Sequence, residues 1–332
     1  MNCLFLSCHA SLEYYMCKLF QRIGISIPLS DMDVGNPERP HIKDYREISE
    51  KQNFCNQKHH SRTWEKSDLK NIDFIYMMNF GDVDAVAKYY SQFGIPIFIH
   101  LFGQYNIRIV HALIDLMLQC DFIHFICYSL TEYKIYYRLS YDCQSIHSRL
   151  HHIPFGLDKE EFQHWTGEIE SVYTTCNDIH NRRRACNWDT FSEITKDLPS
   201  TLSGRNTEKV GGLGLLPFEE LKQNYRKHRC YLSMGTIPAP YTLTLLEAMM
   251  TGCPTIGYDN GMGLADEGIL SSDGSVGLVS SDIFQIKQYI TTLLKDYAFA
   301  KEQSLSIQEK AITLFNMVEV SQKWAEILNE SL

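Results

Sequence analysis

The sequence lacks the signatures of several common protein classes. Its eleven cysteines are scattered and none forms a Cys-x-x-Cys pair, which argues against a zinc site and is typical of a reducing compartment. No segment approaches the roughly 20 apolar residues of a membrane span. The apolar residues 1–7 lack the basic lead and cleavage site of a secretory signal. We therefore expect a cytoplasmic protein with at most peripheral membrane contact.

The sequence also contains fewer basic residues, 31, than acidic residues, 40. The net charge of -9 argues against a general binder of nucleic acid, because such affinity depends on a basic surface. The hydrophobic fraction of 44% is that of an ordinary globular protein, and 332 residues suit two domains better than one. No Gly-x-Gly-x-x-Gly follows the first apolar run, which argues against a nicotinamide oxidoreductase.

Short apolar runs alternate with amphipathic stretches, which predicts α/β domains with doubly wound sheets. Strands are predicted at residues 3–7, 25–29, 72–78, 96–101, 121–128, 171–176, 201–205, 230–234, 256–258 and 275–278. The charged residues 31–71 have little apolar periodicity and indicate an inserted surface segment. Two Asp-x-Asp pairs, at 31–33 and 82–84, imitate a metal motif. Such pairs are common by chance, and no metal site is predicted.

The most informative stretch is residues 238–258. Two prolines end a strand, Thr242 can cap the following helix, and Gly252 can end it. The helix is apolar apart from Glu247, a carboxylate that is costly to bury without a hydrogen-bonding partner. Amides at the start of the helix suit a phosphate, and Glu247 suits a pair of sugar hydroxyls. These residues predict a pocket for a nucleoside diphosphate.

Residues 243–257, LTLLEAMMTGCPTIG, resemble the donor-site signature of the retaining GT-B glycosyltransferases of the large bacterial mannosyl- and glucosyltransferase family (group 1). The resemblance implies that Glu247 binds the ribose and that the amides of Leu243 and Thr244 lie by the distal phosphate. Tyr241 and Thr242, which replace part of the family's Gly-Phe-Gly, join the predicted donor site. The family's sugar-binding Glu, eight positions before Glu247, is replaced by Ala239.

The resemblance extends more loosely along the chain. Residues 152–158, HIPFGLD, resemble the turn that closes the first domain of the family, and residues 315–324 resemble its closing helix. The implied architecture is GT-B, with two doubly wound Rossmann-like domains facing across a cleft. Residues 1–158 would form the acceptor-side domain and residues 159–315 the donor-side domain. The C-terminal helix, 316–332, would cross back to the N-terminal domain.

Other candidate residues follow predicted strands, where ligands of parallel sheets bind. His100 matches a position where the family often holds a donor-contacting histidine, although a structural histidine is the alternative. Arg182 and Arg183 would stabilise the leaving diphosphate. The alternative is that these arginines only make the protein surface more soluble.

Three further positions complete the predicted site. Gly214 lies in a glycine loop that we expect beside the base. His9 and Gly103 are assigned to the acceptor side, and His9 could equally be structural.

The leading hypothesis is a metal-independent, retaining glycosyltransferase without a cofactor. It would move a hexose from GDP- or UDP-hexose to a hydroxyl of a glycan, polysaccharide or glycolipid. The alternative is a nucleotide-sugar-binding protein with lost or weak catalysis, favoured by Ala239 and by the lack of glycines near His9. The base, the sugar and the acceptor stay open.

Overall fold

A computed structural model of the chain describes residues 1–7, 9–31, 64–78, 83–101, 107–140 and 143–332. These residues form two compact units. Unit 1 comprises Met1–Gly156 and Met317–Leu332, and unit 2 comprises Leu157–Asn316. The chain therefore passes from one unit to the other twice. Residues 32–63 of the predicted insertion lie outside the described residues, as does Asp82.

Unit 1 contains a six-stranded parallel sheet with the strand order β2-β1-β3-β4-β5-β6. The strands are β1 (Asn2–Ser7), β2 (Ser26–Asp31), β3 (Phe74–Met78), β4 (Ile97–Leu101), β5 (Ile123–Cys127) and β6 (Leu150–His152). Every residue of β3 and β5 is buried. This explains why β3 is apolar throughout and β5 is apolar apart from His124, because a parallel sheet is covered on both faces. The order reverses between β1 and β3, so the sheet is doubly wound.

The helices of unit 1 connect these strands. They are α1 (Ala10–Arg22), α2 (Val83–Ser91), α3 (Ile107–Gln119), α4 (Leu130–Leu139) and α5 (Gln144–His147). Helix α4 begins where the Ser129 hydroxyl accepts a hydrogen bond from the Glu132 amide at 3.0 Å. Helix α1 begins at Ala10, with His9 at its N-cap position. The Glu13 carboxylate accepts from the His9 amide at 3.1 Å, a side-chain contact that fixes this start.

Unit 2 contains a five-stranded parallel sheet with the order β11-β10-β9-β7-β8. Its strands are β7 (Ile169–Thr175), β8 (Ser200–Ser203), β9 (His228–Ser233), β10 (Thr255–Tyr258) and β11 (Leu278–Ser280). Its helices are α6 (Trp188–Thr195), α7 (Phe218–Lys227), α8 (Leu243–Thr251), α9 (Ile283–Lys295) and α10 (Tyr297–Phe315). Both sheets and their helices confirm the predicted α/β class with two Rossmann-like units.

The last helix, α11 (Met317–Ser331), belongs to unit 1. Its Trp324 is completely buried. Ring centroids of Phe20 and Tyr76 lie 5.5 and 5.6 Å from the indole, and those of His100 and Phe98 lie at 5.8 and 6.3 Å. Trp324 therefore holds the C-terminal helix on the core that β1, β3 and β4 build with α1.

The edge of the unit 1 sheet carries a pair of stacked histidines, of which His124 is buried and His151 is half-buried. His124 on β5 and His151 on β6 stack at 15°, with Nδ1 of the first 3.2 Å from Nε2 of the second. Burial lowers the pKa of each histidine to about 4, and for His124 the charges of His151 and Arg149 add to the effect. Both rings are thus neutral in the folded protein at neutral pH.

None of the helices in the described parts of the chain combines the length and the apolar composition that a membrane crossing requires.

Removal of the Trp324 ring should weaken unit 1. We expect Trp324→Ala to lower the free energy of unfolding by about 3–5 kcal/mol, because it leaves a cavity among four rings. Trp324→Phe should cost clearly less, since it keeps a ring and removes an indole N–H that has no hydrogen-bond partner among the described residues. Urea denaturation tests this, with exposed Lys323→Ala as control. A loss in Trp324→Ala no larger than in the control would contradict the packing role.

The histidine pair should make stability depend on pH. Because the folded-state pKa values lie below the ordinary 6.5, the unfolded chain binds more protons as pH falls from about 6.5 to about 4. The stabilisation is complete above pH 6.5 and is lost on acidification, at a cost of about 2 kcal/mol for each of the two histidines at pH 5. Urea midpoints at pH 7.5 and pH 5 should differ less in the double variant His124→Gln/His151→Gln. An equal difference between the two urea midpoints in the wild type and in the double variant would contradict this prediction.

Candidate functional site

The strand order of unit 2 marks one place for a ligand. Strand β8 lies on one side of β7 and β9 lies on the other, so the chain direction across the sheet reverses between β7 and β9. In open parallel sheets ligands bind outside the carboxyl ends of the strands at such a point. The segments that follow β7 and β9 are residues 176–187 and residues 234–242. A backbone hydrogen bond from Ile237 N to Ala185 O, 2.7 Å long, joins them.

Helix α8 begins at this point. Thr242 occupies the N-cap position as predicted, and Gly252 ends the helix in a left-handed conformation with φ 83°. The Thr242 hydroxyl does not cap the helix. It lies 3.0 Å from the hydroxyl of Thr244, which also accepts from the Tyr231 hydroxyl at 3.1 Å. No described side chain therefore caps the first amides of α8, and three hydroxyl groups lie beside them.

Glu247 follows one turn further along α8 and is 1% exposed. Its Oε2 accepts a hydrogen bond from the Tyr225 hydroxyl on α7 at 3.3 Å. Tyr225 packs edge-on against Tyr173 on β7 and Tyr231 on β9, with ring centroids 5.6 and 5.4 Å away. The carboxylate is thus placed by a layer of three buried tyrosines that the sheet and α7 hold rigidly.

These tyrosines stay protonated. Burial raises the pKa of both Tyr173 and Tyr231 far above the ordinary value, and the charge of Glu247 contributes in the same direction. Each phenol has an acceptor, since Tyr173 lies 2.5 Å from the Ser203 hydroxyl and Tyr231 donates to Thr244. Of the three phenols, Tyr225 is the one recorded as donating to the acidic side chain of Glu247.

The end of β8 contributes a polar network. Gly204 has φ 121°, and a Cβ at this position would collide with the carbonyl oxygen of Cys176 at the end of β7. Only glycine permits this close approach. The Asp178 carboxylate then accepts from Arg205 Nε at 2.8 Å and from Asn206 Nδ2 at 2.5 Å. These bonds tie the β8 loop to the β7 loop.

Gly214 lies in the glycine loop beside that network. It has φ 77°, its carbonyl accepts from Gly204 N at 2.8 Å, and its amide donates to the Thr207 hydroxyl at 3.1 Å. Its backbone N–H is therefore already used within the loop. The predicted contact of Gly214 with the base stays a prediction that rests on the carbonyl oxygen.

The structure separates the two predicted arginines. Arg183 forms an exposed ion pair with Asp189 in the first turn of α6. Arg182 is also exposed, and its positive charge lowers the pKa of the Cys186 thiol, which is buried between the ends of β7 and β9. Arg182 therefore acts electrostatically on Cys186, whereas Arg183 is paired with Asp189. The catalytic roles of both stay predictions.

Two residues just before α8, Tyr241 and Ala239, do not present a side chain suited to binding a ligand. The Tyr241 side chain is 3% exposed and packs against Phe315, with ring centroids 6.1 Å apart. Its phenol ring thus contributes to the core of unit 2. Ala239 donates its amide to Thr236 O at 2.6 Å in a tight turn. No acidic side chain stands at that position.

Three predicted residues belong to unit 1. His100 on β4 is completely buried, and its Nδ1 lies 2.8 Å from the Tyr76 hydroxyl. Burial holds the pKa of His100 well below its usual value. His9 is exposed at the start of α1, and Gly103 lies outside the described residues. The catalytic role of His100 and the acceptor-side roles of His9 and Gly103 stay predictions.

Among the described residues, no group of three or more His, Cys, Asp or Glu side chains is arranged to hold a metal ion.

Comparison with solved structures identifies the architecture. The chain superposes on HepE of Anabaena, solved in complex with UDP and glucose, with a TM-score of 0.76 at 14% identity, over 99% of this chain and 100% of that one. The fold is GT-B. A glycosyltransferase of Rickettsia africae gives a TM-score of 0.72 at 12% identity, and sucrose-phosphate synthase of Thermosynechococcus elongatus gives 0.70 at 13%. Each match covers 99% of this chain and 98% of the other.

No protein-family model matches the sequence, and no curated protein matches it significantly. The TM-scores establish the GT-B fold, but identities of 12 to 14% do not establish the activity. The activity must be inferred from the residues of the site. Those residues cluster at the β7/β9 end of unit 2, where a helix terminus, hydroxyl groups and one carboxylate converge.

The sequence analysis did not identify several residues of this cluster. Tyr231 lies in a predicted strand and Tyr225 in a predicted polar helix, so their hydroxyl contacts had no sequence signal. The Asp178–Arg205 pair joins residues 27 positions apart, and only the strand order brings them together. A search for polar residues at or just beyond the carboxyl end of each predicted strand would have found Asp178 and Arg205.

The contact between Tyr225 and Glu247 should be measurable in stability. Tyr225→Phe leaves a buried carboxylate without one of its donors, so we expect it to lower the free energy of unfolding by about 1–3 kcal/mol. A double-mutant cycle with Glu247→Gln should show a coupling of about 1 kcal/mol or more, because the two groups share one bond. Urea denaturation of the four proteins provides the test. Additive effects of the two changes would show that the bond contributes nothing.

Proposed function

We propose that the protein is a retaining glycosyltransferase that transfers a hexose from a nucleotide-diphospho sugar to a hydroxyl of a glycan or glycolipid acceptor. The observation that carries the proposal is the amino end of α8 at the β7/β9 switch point, with Glu247 one turn further along. No side chain in the described part of unit 2 caps the first amides of this helix. A diphosphate is the group that such a terminus suits best.

The donor fits the site in a defined orientation. The Leu243 and Thr244 amides would bind the distal phosphate, with the Thr242 and Thr244 hydroxyls as further donors. Arg182, on the loop after β7, would add the positive charge that a diphosphate requires. Glu247 would accept from the ribose hydroxyls. Because the side chain is 1% exposed in the free protein, ribose binding requires it to turn outward from its contact with Tyr225.

The base is expected at the end of β8. The turn at Gly204 and the Gly214 carbonyl form the wall there, and the Asp178–Arg205 pair fixes that wall to the β7 loop. UDP is the first donor nucleotide to test, because HepE was solved with UDP and with UDP-glucose, and TarM was solved with UDP. GDP is the second, since the sequence leaves the choice of base open.

The proposed chemistry needs no paired carboxylates. The acceptor oxygen attacks the anomeric carbon on the face that the diphosphate leaves, the carbon–oxygen bond to the phosphate breaks, and the acceptor proton passes to the departing phosphate oxygen. The helix amides and Arg182 stabilise the charge that develops on that phosphate. The protein contributes orientation and electrostatic stabilisation rather than a nucleophile. No metal ion or cofactor is required by this scheme.

Nucleotide binding tests the proposal. UDP or GDP should raise the melting temperature of the protein by mass action. Glu247→Gln should weaken the affinity about 10- to 100-fold, since it removes a charged acceptor of ribose hydroxyls. The matched control is Glu309→Gln, an exposed carboxylate on α10 in the same unit, which should bind like the wild type. Absence of stabilisation by every nucleotide and sugar nucleotide would contradict the proposed donor site.

A nucleotide-sugar-binding protein without turnover is the second candidate. It is favoured by Ala239, which replaces the sugar-binding Glu of the family that the sequence resembles. Release of free hexose from UDP-glucose or GDP-mannose by the purified protein separates the two candidates. Hydrolysis that Arg182→Ala lowers supports the enzyme. Tight nucleotide binding with no hydrolysis, and no transfer to any acceptor tried, supports the binding protein.

A further inference from the structure

A side-chain amide without an acceptor lies at the end of β10. Asn260 is the second residue after this strand, and its side chain is half-buried. Its Nδ2 atom is enclosed by the protein and has no hydrogen-bond acceptor among the described residues. An enclosed N–H donor of this kind is costly, because it has lost its bonds to water and gained none within the protein.

The orientation of this amide is fixed by its oxygen. Asn260 Oδ1 accepts a hydrogen bond from the Met262 amide at 3.1 Å. Turning the amide over would place Nδ2, which only donates, against this N–H donor. The Asp259 carboxylate makes the same kind of turn one residue earlier, since its Oδ1 accepts from Gly261 N at 3.2 Å. Two overlapping turns therefore hold the Asn260 donor in one direction.

That direction is toward the end of β9. A Cβ on Gly235, the second residue after β9, would lie 3.0 Å from Asn260 Nδ2. Gly235 has φ 66°, a conformation that favours glycine, and its backbone approaches the amide with no side chain between them. Gly235 belongs to the segment 234–242 that leads to the amino end of α8. Asn260 thus borders the crevice in which the diphosphate is placed, on the β10 side.

The strand order arranges the parts of a nucleotide sugar along the edge of the sheet. The strands follow one another as β10-β9-β7-β8, with the base expected at the end of β8 and the diphosphate between the ends of β7 and β9. A nucleotide sugar carries its hexose on the distal phosphate, at the opposite end from the base. Continued in the same direction, the molecule brings its hexose to the ends of β9 and β10, where Gly235 and Asn260 lie.

We propose that Asn260 binds the hexose of the nucleotide sugar, with Nδ2 donating a hydrogen bond to one of its hydroxyl oxygens. This inference rests on the proposed function, because it concerns the same donor site. Hexoses differ in the positions of their hydroxyl groups, and a site that bonds one hydroxyl rejects a sugar that lacks it there. Asn260 is thereby a specificity-determining residue for the sugar, whereas Glu247 and the amides of α8 bind the ribose and the diphosphate.

The turn after β10 has room for the donor to reach a ligand. A Cβ on Gly261 would have no heavy atom within 4 Å, so one side of the turn is open. Gly261 and Gly263 have φ values of 81° and 94°, and glycine changes between such conformations at little steric cost. Because Nδ2 is enclosed in the free protein, hexose binding requires a shift of this turn, just as ribose binding requires Glu247 to turn outward.

The experiment measures binding of the sugar separately from binding of the nucleotide. Isothermal titration calorimetry on the full chain gives affinities for UDP, GDP, UDP-glucose, UDP-galactose and GDP-mannose. Asn260→Ser should weaken the best-bound sugar nucleotide about 3- to 10-fold, the contribution of one neutral hydrogen bond, and leave the affinity for its parent nucleotide unchanged. Serine keeps a hydroxyl that can accept from the Met262 amide but has no amide donor. The matched control is Gln288→Ala, an exposed amide on α9 of unit 2, which should bind both ligands like the wild type.

The outcomes separate this inference from the proposed function. If the wild type binds neither nucleotides nor sugar nucleotides, the proposed function is wrong and the role of Asn260 falls with it. If nucleotides bind and no sugar nucleotide does, or if Asn260→Ser changes both affinities equally or neither, only the role of Asn260 is wrong.

Hydrogen exchange of the wild type decides the matter where Asn260→Ser fails to fold. The best-bound sugar nucleotide should slow amide exchange in residues 259–263 more than its parent nucleotide does, because the hexose orders the turn. Equal protection by the two ligands would contradict the assignment.

Discussion

The site depends on the adjacency of the carboxyl ends of β7 and β9. Since β8 lies on the far side of β7, no other strand separates these two ends, and the segments that follow them share one crevice. The amino end of α8 and the Arg182 loop lie there for that reason. Any change in the strand order would disperse groups that are up to 70 residues apart in sequence, such as Asp178 and Glu247.

The second constraint is the cost of burying Glu247. A carboxylate that is 1% exposed persists only with donors around it, and Tyr225 supplies one of them from α7. The same tyrosine layer packs β7 against β9, so the groups that stabilise the fold also set the position of the acidic side chain. This coupling explains why an apolar helix tolerates one charge.

The sequence predicts the regular elements well because their signals are local. Buried parallel strands read as unbroken apolar runs, and α8 carries its own start at Thr242 and its stop at Gly252. Such local signals do not predict contacts between residues that are far apart in the sequence. Arg183 differs from Arg182 because it forms an ion pair with Asp189. The sequence could not predict this difference, because adjacent arginines in a loop have no periodic pattern. The burial of His100 against Tyr76 and Trp324 likewise depends on a helix more than 200 residues later.

A crystal structure of the protein with bound UDP tests the account most directly. The account predicts the distal phosphate within hydrogen-bond distance of the Leu243 and Thr244 amides, and both ribose hydroxyls on the Glu247 carboxylate, which has then turned from the Tyr225 hydroxyl. A nucleotide bound elsewhere in the molecule, or a Glu247 side chain that keeps only protein contacts while UDP occupies unit 2, would contradict it.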